Sequence, residues 1–142
     1  MKKLLLILLS VCFVLNVQAQ RVPVLELFHG AECPHCHDER KWLPTLVKMY
    51  PGLEIKEYEV WHDTNNQLLF QQRLQELNKE SQAVPTNIIG KEVIVGFNKA
   101  KIKEVMKAEY GDPFITEESL IKSEESESFW SKIIAFFKGL FG

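Results

Sequence analysis

Cys33-Pro34-His35-Cys36 constrains this chain more than any other stretch. Two thiols separated by two residues can close a disulfide with almost no rearrangement of the backbone. A proline directly after the first cysteine suits the first turn of a helix, where its missing N–H has no intrahelical bond to lose. Cys33 then stands at a helix N-terminus, where orphan N–H groups and the helix dipole favour a thiolate. His35 can add positive charge beside it. Such surroundings lower a thiol pKa and make the sulfur a nucleophile and a good leaving group.

The segments around the motif set its frame. Val22 to Phe28 is apolar apart from Pro23 and Glu26 and reads as a buried strand. After Cys36, the residues Trp42, Leu43, Leu46, Val47 and Tyr50 recur at helical spacing up to about Met49. Pro44 falls inside that helix and is expected to kink it, and Pro51-Gly52 stops it. Leu53 to Val60 reads as a second strand, buried on both faces or bulged. Thr64-x-x-Gln67 resembles a capping box for a helix bearing Leu69, Phe70, Leu74 and Leu77. Ser81 to Val84 is a loop leading to Pro85. Two short apolar runs, 85–89 and 92–95, flank Gly90-Lys91 and form a hairpin. Asn98 can cap a last helix with Ile102, Val105, Met106 and Tyr110, which Gly111, Asp112 and Pro113 end.

Both ends of the chain depart from this pattern. Lys2 and Lys3 precede an apolar run from Leu4 to about Val17, and Val17-Gln18-Ala19 supplies small residues for cleavage before Gln20. Residues 1–19 therefore read as a secretory signal peptide, with an uncleaved anchor as the alternative. A lipoprotein signal fits less well, because Val11 rather than a small residue precedes Cys12. Cleavage would remove Cys12 and leave Cys33 and Cys36 as the only thiols. That excludes a structural disulfide framework and favours redox chemistry in an exported protein. It would also take the formal charge from −2 to −4, and nothing suggests a nucleic-acid partner. At the other end, residues 112–128 are rich in Glu and Ser and read as a solvated linker. Residues 129–142 read as an amphipathic helix, with Phe129, Trp130, Ile133, Ile134, Phe136, Phe137, Leu140 and Phe141 on its apolar side and Lys132 and Lys138 on the other.

The order strand, helix, strand, helix, strand, strand, helix, read with the motif, resembles the thioredoxin-fold oxidoreductases at near-glutaredoxin size. The resemblance covers Val22 to Tyr110. It rests on Cys33-Pro34-His35-Cys36 after the first strand, Val84-Pro85-Thr86 before the third, and Gly96 before the last helix. It implies an α/β fold, β-α-β-α-β-β-α, with a central four-stranded mixed sheet flanked by helices, for a domain spanning 20–111. It also implies that Cys33 attacks client disulfides or thiols and that Cys36 resolves the mixed disulfide. Pro85 is then expected to be cis, with its loop against the cysteine pair and the Val84 backbone free to pair with an extended client segment. The C-P-H-C pattern is that of the bacterial Dsb disulfide oxidases, which points to an oxidising role. A reductive role, serving cytochrome c maturation or another membrane redox partner, is the alternative. The reading needs no cofactor. Its partners are thiol- or disulfide-containing client proteins and a recycling partner at a membrane, which residues 129–142 could touch.

Two positions depart from the family. Thioredoxins usually carry an acid six residues before the first cysteine, and Leu27 stands there, with Glu26 expected to point to the other face. Asn98 and Lys99 replace the acidic pair with which glutaredoxins bind glutathione.

Rival chemistries use the same residues. Cys33-Pro34-His35-Cys36-His37 also matches the c-type haem attachment pattern, with His37 as axial ligand, although strands and a hairpin around the motif fit poorly with mostly helical haem domains. A metal site at Cys33, His35, Cys36 and His37 lacks a second cysteine pair to complete a tetrahedron. His29 and His62 read as surface or loop residues, and Trp42 and Trp61 as packing residues.

Overall fold

The computed structural model describes residues 22–141; the expected signal peptide and Cys12 lie outside them. In chain order the elements are β1 (Val24–His29), α1 (Pro34–Met49), β2 (Glu54–Glu59), α2 (Thr64–Glu76), β3 (Thr86–Ile89), β4 (Glu92–Val95), α3 (Lys99–Tyr110) and α4 (Glu117–Phe141). The strands form one sheet in the order β2-β1-β3-β4. β2 runs parallel to β1, β3 antiparallel to β1, and β4 antiparallel to β3. This is the expected mixed four-stranded sheet flanked by helices.

The twofold alternation of a strand divides β1 between two cores. Leu25 and Leu27 face one way and pack with Trp42, Leu43 and Leu46 of α1 and Ile102, Val105 and Met106 of α3. Phe28 faces the other way, with Phe70 and Leu74 of α2, Val60 and Ile88. Its ring is stacked between Tyr58, at 5.0 Å, and Phe70, at 4.6 Å. Glu26 shares that second face, as expected, and accepts hydrogen bonds from Arg73 Nε at 2.9 Å and Nη2 at 2.6 Å, which pins α2 to the sheet. The helix α1 continues through Pro44, whose ring is exposed to solvent.

Four local expectations are corrected. β1 extends one residue beyond Phe28, so His29 is a buried strand residue rather than a surface one. β2 pairs with β1 residue for residue over six positions and lies at the sheet edge, neither bulged nor buried on both faces. Its parity change arises because Ile55 meets one core and Tyr58 the other. α2 is capped by Asp63, whose carboxylate accepts from the N–H groups of Asn65 and Asn66 at 2.9 and 3.0 Å. Thr64 is thus the first helical residue, and the cap stands one position earlier than the capping-box reading put it.

The fourth correction is the largest. The solvated linker expected over 112–128 is mostly helix, because α4 starts at Glu117 and continues to Phe141. Glutamate is a good helix former, and Glu117 and Glu118 in the first turn complement the helix dipole. α4 is also docked. Glu117 accepts from Trp42 Nε1 at 3.0 Å and from Lys103 Nζ at 2.7 Å, Leu120 packs on the first core, and Glu124 pairs with Lys48 at 2.7 Å. Beyond that point Phe129, Trp130 and Ile134 are exposed. Among the described residues no helix is long and apolar enough to cross a membrane.

Candidate active site

The strand β1 ends at the Gly30–Glu32 turn, and the cysteine pair opens α1. Cys33 is the N-cap, in extended conformation, and Pro34 takes the first helical position. The Cys33 sulfur accepts a hydrogen bond from the Cys36 N–H at 3.2 Å, so one of the orphan donors of the helix start points at it. The two sulfurs are joined as a disulfide. Cys36 is fully buried and Cys33 is 4% exposed. His35 and His37 are exposed on the outer side of the first turn.

The loop before β3 closes over this end of α1. The Val84–Pro85 peptide bond is cis, and the Val84 carbonyl oxygen lies 3.8 Å from the Cys33 sulfur. Pro85 and Thr86 are buried, and the Thr86 hydroxyl donates to the Ala83 carbonyl at 2.7 Å. Gly96, at φ +83°, donates its N–H to the Pro85 carbonyl at 2.7 Å. The structure thus brings Cys33, Pro34, Cys36, Val84, Pro85 and Thr86 together at one end of the sheet, with Gly96 beside them. Asn98 caps α3 through the Lys101 N–H, at 3.0 Å.

A second loop supports the turn from behind. Glu59 accepts from the N–H groups of Ala31, Trp61, His62 and Asp63. Desolvation works against its charge, but the hydrogen bonds from the backbone of His62, Trp61 and Ala31 and from the His62 side chain prevail and hold the carboxyl down at about 2. His62 is exposed, as expected. Trp42 is buried and lies 5.8 Å from the Phe97 ring, as a packing residue should. Trp61 is half exposed and covers Gly30, where any Cβ would meet its ring. Among the described residues no three His, Cys, Asp or Glu side chains converge as a metal site.

Sequence reasoning missed one functional candidate. Glu39 follows Cys36 by three residues, is fully buried, and accepts from Asn87 Nδ2 of β3 at 2.7 Å. Burial pushes its carboxyl up to about 7, against the opposing effect of the Asn87 hydrogen bond. A signal was present in the sequence: Cys36, Glu39, Leu43 and Leu46 follow the helical spacing of a buried face. A carboxyl raised in this way keeps its proton in the folded state after the unfolded chain has released it. Stability is therefore expected to fall as the pH rises from 4.5 to about 7. At about 1.4 kcal/mol per pH unit, the loss is on the order of 3 kcal/mol. Thermal unfolding of the oxidised protein across that range checks it, and Glu39→Gln should flatten the profile.

No family model matches the chain, and no curated protein matches it. Among solved structures, thioredoxin O1 from Arabidopsis thaliana in its oxidised state superposes with a TM-score of 0.50 at 21% identity, over 63% of this chain and 78% of that one. Glutaredoxin from Archaeoglobus fulgidus gives 0.47 at 18% identity, over 65% and 95%. Mitochondrial thioredoxin 3 from Saccharomyces cerevisiae gives 0.47 at 19% identity, over 69% and 89%. At such identities a likeness concerns architecture alone; that to thioredoxin O1 agrees with the sheet order and helix placement above, and the chain has a thioredoxin-like fold.

Proposed function

We propose that this chain is an exported thiol–disulfide oxidoreductase that oxidises protein clients through Cys33 and Cys36. The observation that carries the reading is the Cys36 N–H directed at the Cys33 sulfur from a helix N-terminus. Such a donor stabilises a thiolate at Cys33, and His35, one turn-position away, adds to it when protonated. In the oxidising direction a client thiolate attacks Cys33, forming a mixed disulfide and expelling Cys36 as a thiolate. The client's second thiolate then attacks the client sulfur of that bond. The client leaves as a disulfide, and two electrons remain on the reduced pair. The Val84 backbone beside Cys33 is placed to align an extended client.

Stabilising the Cys33 thiolate favours the reduced pair and so makes the disulfide more oxidising. The rate of Cys33 alkylation against pH tests the premise: the midpoint is expected well below the free-thiol value of about 8.5, and a midpoint at or above 8 sinks it. His35 replaced by an apolar residue should raise the midpoint. The reduction potential in glutathione buffers then decides direction, since a low value would make the protein a reductant, for instance one serving cytochrome maturation. A c-type haem would take both sulfurs as thioethers and leave none for exchange; a Soret band in the purified protein would overturn the redox reading.

The exposed end of α4 is read as a tether to a membrane or to a membrane-bound redox partner that recharges the pair. Phe129, Trp130 and Ile134 are open to solvent, a pattern of helices that rest at a membrane surface. Since among the described residues the docking contacts end at Glu124, truncation after Ser128 is expected to leave the melting temperature and thiol chemistry unchanged and to abolish binding to anionic liposomes. Absence of liposome binding by the full chain would refute the membrane version.

A further inference from the structure

The three residues before Cys33 are each met by a different residue from the end of β2 and the loop that follows it. The Trp61 ring lies over Gly30. The Glu59 carboxylate accepts from the Ala31 N–H at 3.2 Å. His62 Nε2 stands 3.6 Å from the Glu32 carboxylate, an exposed pair that adds little by itself. The match follows from the sheet. β1 and β2 run parallel with His29 opposite Glu59, and the ladder goes one step further, from the Val60 N–H to the His29 carbonyl at 2.8 Å. The two chains therefore leave the sheet side by side, one toward Cys33 and the other toward α2.

Glu59 is the centre of this contact. One of its oxygens takes the N–H groups of Ala31 and Trp61, and the other takes those of His62 at 2.8 Å and Asp63 at 3.2 Å. Asp63 is itself the cap of α2. Three of these bonds close the loop on itself. The one from Ala31 crosses to the turn before Cys33, 28 residues away, and ties that turn to the sheet and to α2. Trp61 adds an uncharged grip, since its ring sits where a Cβ at Gly30 would be.

This clamp bears on the redox pair through the state of the disulfide. While Cys33 and Cys36 are bonded, the bond itself keeps the Cys33 sulfur beside the Cys36 N–H. Once it opens, the backbone on either side of Cys33 must do so. After Cys33 runs the helix. Before it, the Cys33 N–H donates to the Gly30 carbonyl at 3.3 Å, so the turn of Gly30, Ala31 and Glu32 sets where the sulfur stands. A sulfur that drifts from the helix start loses the donor and the dipole that favour its thiolate.

We infer that Glu59 is a positioning residue for Cys33: with Trp61 it clamps the turn 30–32, so that the reduced Cys33 sulfur stays at the N-terminus of α1. The inference rests on the oxidoreductase reading above. The charge of Glu59 works in the opposite sense, since an anion near Cys33 disfavours a thiolate. Position and charge therefore predict shifts of opposite sign when Glu59 is removed. The titratable groups in and against the turn are Glu32, His35, His37, Glu59, His62 and Asp63, and residues 82–86, on the β3 side of Cys33, carry none. Glu59, held at about 2, keeps its charge throughout the range tested.

The test uses the full chain in its reduced form and follows alkylation of Cys33 by iodoacetamide, a neutral reagent, against pH. Glu59→Ala and Trp61→Ala should each raise the midpoint. Below the midpoint this is read as alkylation slowed by about two- to fivefold, the range for weakening one charge interaction at a helix terminus. In glutathione buffers both variants should shift toward the disulfide by the same factor, because the reduced form loses its support. Trp61→Phe keeps a ring over Gly30 and should restore the wild-type midpoint. Trp61→Ala changes no charge, so it separates position from electrostatics. Melting of the oxidised variants is the control, since a merely structural role lowers the melting temperature without moving the midpoint. A midpoint that falls in Glu59→Ala, or that fails to rise in either alanine variant, would overturn the assignment. A wild-type midpoint at or above 8 would instead overturn the oxidoreductase reading itself.

Discussion

Cys33→Ser is expected to abolish disulfide exchange, and Cys36→Ser to arrest it halfway. The two cysteines differ in their surroundings, and under the proposed function the difference sets the order in which they would be used. The Cys33 sulfur receives the helix-start N–H and lies beside the Val84 carbonyl, where a client segment would run. Cys36 lies a turn-position deeper, fully buried, and can reach only Cys33. Without Cys33 no mixed disulfide can form, and exchange should drop to the uncatalysed background. Without Cys36 the mixed disulfide forms and nothing inside the protein resolves it. Incubation with a disulfide-bonded client, followed by non-reducing electrophoresis, should show a covalent adduct in Cys36→Ser and none in Cys33→Ser. An adduct in Cys33→Ser would reverse the roles.

Phe28→Ala is expected to destabilise the domain by about 3–5 kcal/mol. Phe28 is fully buried and stacked between Tyr58 and Phe70, so its ring joins β1, β2 and α2. Truncation leaves a cavity that those two aromatic rings cannot fill by small shifts. The loss is a large share of the roughly 5–15 kcal/mol that holds a typical domain together. Urea denaturation should show a lower midpoint with little change in slope. Phe28→Leu, which keeps most of the volume, should cost much less. An equal cost for the two variants would mean that this second core is loosely packed.

What could be read from the sequence was local, and what could not depended on distant partners. The Cys33–Cys36 motif needs only its own proline and helix start, and Asn98 needs only the N–H of Lys101; both take the places in the fold that their residue types suggest. The alternation in β1 placed Leu27 and Glu26 on opposite faces, and the sheet keeps them there. Glu39 sits in the charged run His37-Asp38-Glu39-Arg40-Lys41, which looks like a solvated face. Its burial depends on Asn87, 48 residues away, a pairing that no local pattern contains. The composition of the Glu/Ser stretch suits a linker. Charged residues are as compatible with an exposed helix as with a coil, and the ion pairs that decide between them involve Lys48 and Lys103, far away in sequence.

The long helix α4 also has a mechanical meaning. Among the described residues its last anchoring contact is Glu124, and its backbone runs on to Phe141. At about 1.5 Å per residue the overhang is roughly 25 Å. A coil of the same length would let the domain tumble over whatever its end grips. As the proposed tether, a helix would instead work as a ruler: it would fix a stand-off and couple the orientation of the domain to that of its support. The redox pair would then sweep a shell of set radius, and clients would be sorted by how far their thiols stand from the same support.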